Sequence, residues 1–335
     1  MTGLGLSRHR HLPTLALLAV ALVCAWPLAA RPGALATAIT IGMFSAVAVP
    51  LGLIYGQGGI LSLAQGTFAA LGAYAAGILA TKTGVSPWVS LVAAAVLPAA
   101  LAAALARPIL RLPPLALVIA TLAFATIVEE VLVVAGPITG GRVGLTGVQP
   151  LEGIGTGIGA YLLIWGFVAL LVFGYVNLKA GSHGRALNAI RVDPTLARSA
   201  GVWVAAESTL VFTLAAATAG MAGWFYVHYV GFIAPESLSF HYSSAVLLMV
   251  IIGGRNAVLG PVVGAVFYVL VQDLLPTGHA QLLIFGLLLA LTLVLLPNGL
   301  ASLPAALRHG RPAAAPEQTA SAPEASVAVA QRQSS

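Results

Sequence analysis

Glu129 and Glu130 are the one pair of neighbouring carboxylates among the nine acidic residues of this chain. Adjacent residues on a helix point about 100° apart, so the two make a poor acid/base couple. They lie near the outer end of an apolar run, 113–135. A carboxylate at membrane depth is costly and tends to be functional; one at the interface is simply solvated. Asp273, His228, His241 and Glu236 also fall near predicted span ends, where solvation is the default. No serine stands in a nucleophile-elbow pattern, and no His/Cys/Asp/Glu cluster has metal-ligand spacing. No Gly-x-x-x-x-Gly-Lys-Ser/Thr loop is present, so the chain has no evident means of hydrolysing ATP. Cys24 is the single cysteine and cannot form an internal disulfide. The expectation is a non-enzyme with no metal and no cofactor.

What remains is one polar stretch and two glycine-rich interruptions. Residues 179–206 carry four of the fifteen basic residues, Lys179, Arg185, Arg191 and Arg198, between two membrane-length apolar segments. Asp193 is a good N-cap and Pro194 suits the first helical position, since its missing N–H has no intrahelical partner anyway. Gly201 sits where a left-handed residue would end the helix. The stretch therefore predicts a short capped helix on a basic loop, suited to docking a partner; the competing reading is an ordinary charged connector.

The elements that must hold these features are membrane spans. Hydrophobic residues make up 59 % of the 335 and charged residues 7 %, against about 25 % charged in a typical soluble domain. Apolar runs predict about ten transmembrane helices, near 12–30, 33–55, 66–81, 87–106, 113–135, 158–178, 207–229, 239–254, 258–273 and 281–297. With the N-terminus inside, twelve Lys and Arg lie on cytoplasmic loops or tails, and only Arg31, Lys82 and Arg142 lie outside. That asymmetry sets orientation and attributes the net charge of +6 to the bilayer rather than to a nucleic acid. Both termini are then cytoplasmic. A cleavable leader ending near Leu28-Ala29-Ala30 is the alternative for the first segment. Residues 1–303 form the transmembrane domain, and 304–335, rich in Ala, Pro, Ser and Gln, predict a disordered cytoplasmic tail. The glycine-rich stretch 136–159 lacks the preceding strand of a dinucleotide fold and predicts an external loop.

Two interruptions break the spans in related ways. Tyr55-Gly56-Gln57-Gly58-Gly59, continuing to Ser62, Gln65, Gly66 and Thr67, follows the second span on the cytoplasmic side. Gly231 to Tyr242, with Pro235, Glu236 and His241, follows the seventh on the external side. Each comes after a span and before a short one, on opposite faces, as in an inverted repeat whose broken helices approach a transport path. Irregular backbone at such depth needs protein or water to satisfy it. Two plain membrane-edge loops are the alternative.

In order along residues 40–300, several blocks resemble the permease subunits of ABC importers of the branched-chain amino acid class, LivM type. They are Gly56-Gln57-Gly58-Gly59-Ile60-Leu61-Ser62-Leu63 with Gly72-Ala73-Tyr74; Thr139-Gly140-Gly141-Arg142-Val143-Gly144; and Gly184-Arg185-Ala186-Leu187-Asn188-Ala189-Ile190-Arg191. Leu248 to Gly254, Leu259 to Ala265 and Leu296-Pro297-Asn298-Gly299-Leu300 complete the series. The chain departs from the pattern at Ala64, Thr126, Pro194 and Arg198, which leaves cargo and partner identity open.

The resemblance implies an all-α polytopic membrane protein of the bacterial inner membrane. Its partners would be a second permease subunit in a heterodimer, two cytoplasmic ATP-binding subunits and a periplasmic substrate-binding protein. Gly184, Arg185, Ala189, Arg191, Asp193, Ala197 and Gly201 would couple to the ATPase, the small residues letting the helix lie close against a groove. Gln57, Ser62, Gln65, Thr67, Tyr74, Thr126, Glu129 and Glu130 are candidates for the translocation path. Branched-chain or other apolar amino acids lead as cargo, with urea, amides and aromatic acids as alternatives. An ion-coupled secondary transporter and a membrane enzyme are the readings from other classes.

Overall fold

The computed structural model describes residues 11–151, 153–274 and 299–302, with 286, 287 and 291 between them. The tail 304–335 and the expected span 281–297 (apart from 286, 287 and 291) lie outside the described residues. Eleven helices position the features of interest: α1 (Leu12–Ala29), α2 (Pro32–Gly58), α3 (Gln65–Thr83), α4 (Pro87–Ile109), α5 (Pro114–Val134), α6 (Ile158–Ala180), α7 (Ser182–Val192), α8 (Pro194–Ser199), α9 (Val204–Val230), α10 (Phe240–Gly253) and α11 (Gly260–Leu274). Proline opens α2, α4, α5 and α8, where its fixed φ suits the first turn and its absent N–H costs nothing.

Among the described residues, seven segments are long and apolar enough to cross a membrane: 12–29, 32–58, 87–109, 114–134, 158–180, 204–230 and 235–253. α3 misses that standard because it carries Gln65, Thr67, Tyr74 and Lys82. It does not need lipid-like composition, since Gln65 to Ala70 are all buried in protein. α10 has 14 residues, about 21 Å of helix, short of a hydrocarbon core of about 30 Å. The missing length is made up by the segment before it, which includes a 3-10 helix at Pro235–Leu238 and in which Ile233 and Leu238 are buried.

Cross-helix bonds tie the spans together. Tyr161 Oη donates to Ala21 O at 3.0 Å, Trp165 Nε1 to Ala38 O at 3.1 Å, and Trp224 Nε1 to Pro87 O at 2.9 Å. The first of these docks α1 on α6, which gives the segment read alternatively as a leader a place in the bundle. At one end the helix termini gather Arg107, Arg111, Lys179, Arg185, Arg191, Arg198 and Arg255; the other end has Arg31, Lys82 and Arg142. The former is called the basic end below.

α2 is the central helix, with Ile39, Ala46 to Val49, Leu51 and Ile54 almost wholly buried among α6, α9, α10 and α11. A helix apolar all round belongs in such a position. Glycine sets the closest crossings. A Cβ on Gly72 would fall 2.2 Å from Gly220 O, and one on Gly223 would fall 1.9 Å from Ala69 O, so α3 and α9 meet backbone to backbone.

Two features differ from the sequence reading. The basic stretch forms two helices, α7 and α8, rather than one. The external glycine-rich loop is also partly ordered: β1 (Leu145–Thr146) pairs antiparallel with β2 (Phe232–Ile233), which lies inside the second interruption. Two-residue strands escape sequence patterning because alternation needs four residues or more.

Candidate functional site

The helix pair α7–α8 forms as its local sequence dictates. Asp193 Oδ1 accepts from Thr195 N at 2.7 Å and Leu196 N at 3.1 Å, capping α8. At the other end Gly201 N donates to Arg198 O and Val202 N to Ala197 O, each at 3.0 Å, with Gly201 at φ +84°. This is the Schellman arrangement, in which the left-handed residue lets two orphan carbonyls be satisfied.

The pair is amphipathic, and its inner face corrects part of the sequence reading. Gly184, Leu187, Ile190 and Ala197 are buried within the chain. A Cβ on Gly184 would meet Lys179 O at 2.2 Å, so its smallness serves packing of α7 on the end of α6, not approach to a partner. Ala197 likewise faces inward. The outer face is left to Arg185, Ala189, Asp193, Arg198 and Gly201, all exposed.

Arg191, itself exposed, is also tied inward. Its guanidinium, expected to reach a partner, donates to Gly56 O and, at 3.2 Å, to Asn256 Oδ1. Its stem covers Gly59, whose φ of +68° ends α2. Beside it Asn188 Nδ2 donates to Gln57 Oε1 at 3.1 Å. Lys179 Nζ holds Asn256 O at 3.0 Å, and Arg255 reaches Tyr55 Oη at 3.3 Å. The helix pair is thus bonded to the last turn of α2, immediately before the first interruption.

The two interruptions meet. Both follow a helix of 27 residues closed by a left-handed glycine, Gly59 at φ +68° and Gly231 at φ +73°, and they start from opposite ends of the bundle. Gly66 N, in the first turn of α3, donates to Ser243 Oγ in the first turn of α10 at 3.0 Å. A Cβ on Gly66 would fall 2.9 Å from Leu238 O and 3.1 Å from Ser239 O, so the contact admits no larger residue. Leu63 N donates to Thr121 Oγ1 of α5 at 3.2 Å. Backbone that leaves the helix is thereby satisfied by neighbouring protein, as membrane depth requires.

Of the path candidates, Gln57, Ser62, Gln65, Thr67 and Tyr74 are all buried, and Gln65 and Thr67 lie in the first turn of α3 at this junction. Tyr74 Oη reaches Ile233 O at 3.5 Å, linking α3 to the second interruption. Gln65 is fully buried, yet neither atom of its amide has a partner among the described residues. Such groups are costly unless a water or ligand satisfies them. Thr126, Glu129 and Glu130 stand apart on α5. Thr126 is exposed and bonds only Leu122 O of its own helix, and Glu130 is exposed; Glu129 is half-buried and lies within electrostatic range of Glu236 and His241. Asn188, Thr121, Ser243 and Asn256 were not singled out as site residues. Thr121 is a lone hydroxyl among apolar neighbours and Ser243 is one of two adjacent serines, and nothing local marks a hydroxyl that caps a distant backbone.

The branched-chain amino acid transport system / permease component family matches residues 33–297. The chain belongs to that family. It is 30 % identical over 317 residues to the high-affinity branched-chain amino acid transport system permease protein LivM of Salmonella typhimurium, covering 85 % of this chain and 73 % of that one. It is also 30 % identical over 307 residues to the protein of the same name from Escherichia coli K12, covering 83 % and 72 %. No solved structure is a significant match. The family match spans both interruptions and the α7–α8 pair. In this permease the features singled out from sequence therefore lie inside the shared region and form one connected assembly.

Proposed function

We propose that this permease is a subunit of an ABC importer for branched-chain amino acids, with its basic end in the cytoplasm of a bacterial inner membrane. A second permease subunit, two ATP-binding subunits and an external substrate-binding protein complete the machine. The family description and the names of both relatives support the cargo. The excess of Lys and Arg at the basic end supports the orientation.

One observation carries the mechanism. The exposed face of α7–α8 is bonded through Asn188–Gln57 and Arg191–Gly56 to the end of α2, and α2 leads directly into the junction of the two interruptions. ATP-driven closure of the ATPase pair would displace α7–α8, and those bonds would pass the movement to α2 and the first interruption. Separation of the α3 and α10 first turns, now joined through Gly66 and Ser243, would open the path; their rejoining would close it. Gln65, buried and unpartnered in the closed arrangement, would then face the passing solute.

The test is purification of the tagged full chain from its own membranes. An ATP-hydrolysing subunit and a second permease should co-elute, and hydrolysis should rise with a binding protein loaded with leucine, isoleucine or valine. A chain that purifies alone and transports these amino acids without ATP would refute the ABC reading. ATP-driven uptake of urea or aromatic acids, but not of leucine, would keep the machine and change its cargo.

A further inference from the structure

A cleft of 1380 Å³ opens at the basic end between the α4–α5 connection and the start of α9. Its mouth is set with Arg107, Arg111 and Arg198, and its inner wall with Leu117 and Leu210. The cleft is deep: on α9 it runs from Trp203 to Thr213, ten residues or about 15 Å of helix. It therefore rises from the membrane edge into the span.

The charge on its rim is uncompensated. Arg107, Arg111 and Arg198 are exposed, and their guanidinium groups make no hydrogen bond or ion pair with the described residues. No carboxylate lines the cleft among the described residues, and Glu207 nearby is held by His183 Nδ1 at 2.7 Å. The fourth arginine on the wall, Arg191, is the one engaged with Gly56 and Asn256. Trp203 stands 82 % exposed at the mouth, in the position of an interfacial aromatic anchor. Deep in the cleft, the Thr213 hydroxyl is buried without a partner.

We infer that this cleft binds one anionic phospholipid of the adjoining leaflet. Three free guanidiniums suit a phosphodiester, and basic pockets between helices at the cytoplasmic side take such headgroups. The apolar wall suits an acyl chain. A free phosphate would use the mouth and leave the slot unfilled. Assignment to the cytoplasmic leaflet rests on the orientation proposed above; the binding chemistry does not.

The test uses the full chain in phosphatidylcholine vesicles carrying a small, equal fraction of brominated phosphatidylglycerol or brominated phosphatidylcholine. The signal is the part of tryptophan quenching lost in Trp203→Phe. Brominated phosphatidylglycerol should be preferred by roughly a hundredfold, from about 1 kcal/mol for each guanidinium. The triple variant Arg107→Gln, Arg111→Gln, Arg198→Gln should abolish the preference, and the corresponding triple lysine variant should keep most of it. Equal quenching of the unsubstituted chain by the two lipids would overturn the inference even if the glutamine variant failed to fold. So would survival of the preference in a folded glutamine variant, or its removal by inorganic phosphate at constant ionic strength. External labelling of a cysteine at Ser182 would move the site to the other leaflet while leaving the lipid preference intact, so the two readings fail separately.

Discussion

Replacing Gly223 with alanine is expected to force α3 and α9 apart. An ideal Cβ there falls 1.9 Å from Ala69 O and 2.9 Å from Ala73 N, whereas carbon comes no closer to a carbonyl oxygen than about 3.3–3.6 Å. The crossing must therefore open by roughly 1.4 Å or more. Both obstacles are backbone, so no rotamer change relieves them. Gly72 against Gly220, also on this interface, leaves no slack for a tilt. Overpacking of this kind costs typically about 1–3 kcal/mol, and the rigid contact puts this site at the upper end. Gly166 on α6 has nothing within 4 Å of its would-be Cβ, so Gly166→Ala provides the matched control. Thermal unfolding of the purified full chain should show Gly223→Ala several degrees below the parent and Gly166→Ala at or above it. Because α3 carries Gln65 and Gly66 into the junction, uptake should fall with Gly223→Ala and hold with Gly166→Ala. Parental stability and uptake in Gly223→Ala would refute the close crossing.

Four further outcomes follow from the same geometry. Gly201→Val should cost about 1–2 kcal/mol or more at the end of α8, because L-residues resist positive φ, and substrate-stimulated ATP hydrolysis should drop; Gly201→Asn should retain more, and full stimulation in the valine variant would show the stop to be dispensable. Asn188→Leu strands the buried Gln57 amide at a cost of about 1–3 kcal/mol, so a cycle with Gln57→Leu should be non-additive in stability and in ATPase coupling, whereas additivity would mean the bond transmits nothing. Arg191→Glu sets a carboxylate against Gly56 O and Asn256 Oδ1 and should uncouple hydrolysis from uptake without preventing insertion, which a fully coupled variant would contradict. In a Cys24→Ser background, cysteines at Lys82 and Arg142 should react with an impermeant thiol reagent in intact cells and one at Ser182 should not; reversed labelling would invert the orientation.

The cap and stop of α8 were legible because they are local: Asp193, Pro194 and Gly201 fix their own backbone whatever surrounds them. The positions of both interruptions were legible for the same reason, since polar and glycine residues after a long apolar run end a helix. What sequence could not supply was the face each residue turns. Gly184 and Ala197 fit the pattern of a docking surface, yet both are buried against their own chain. Arg191 resembled a partner contact, and sequence gave no sign that it is also a strut to α2.

Sequence alone determined that this is a helical membrane protein, how α8 is capped and stopped, and where the basic stretch lies, because each follows from composition and short-range stereochemistry. Only the tertiary structure decided that the two interruptions close on each other through Gly66 and Ser243, which lie 177 positions apart. It also decided that α7–α8 is bonded to the first interruption, and that arginines from the end of α4, the α4–α5 connection and α8 share one cleft. The physical reason is common to all three. A helix break leaves N–H and C=O groups that lipid cannot satisfy, and a surface charge seeks a counter-ion. Which distant group answers depends on how the helices pack, a choice made by glycine-sized differences in the closeness of their crossings.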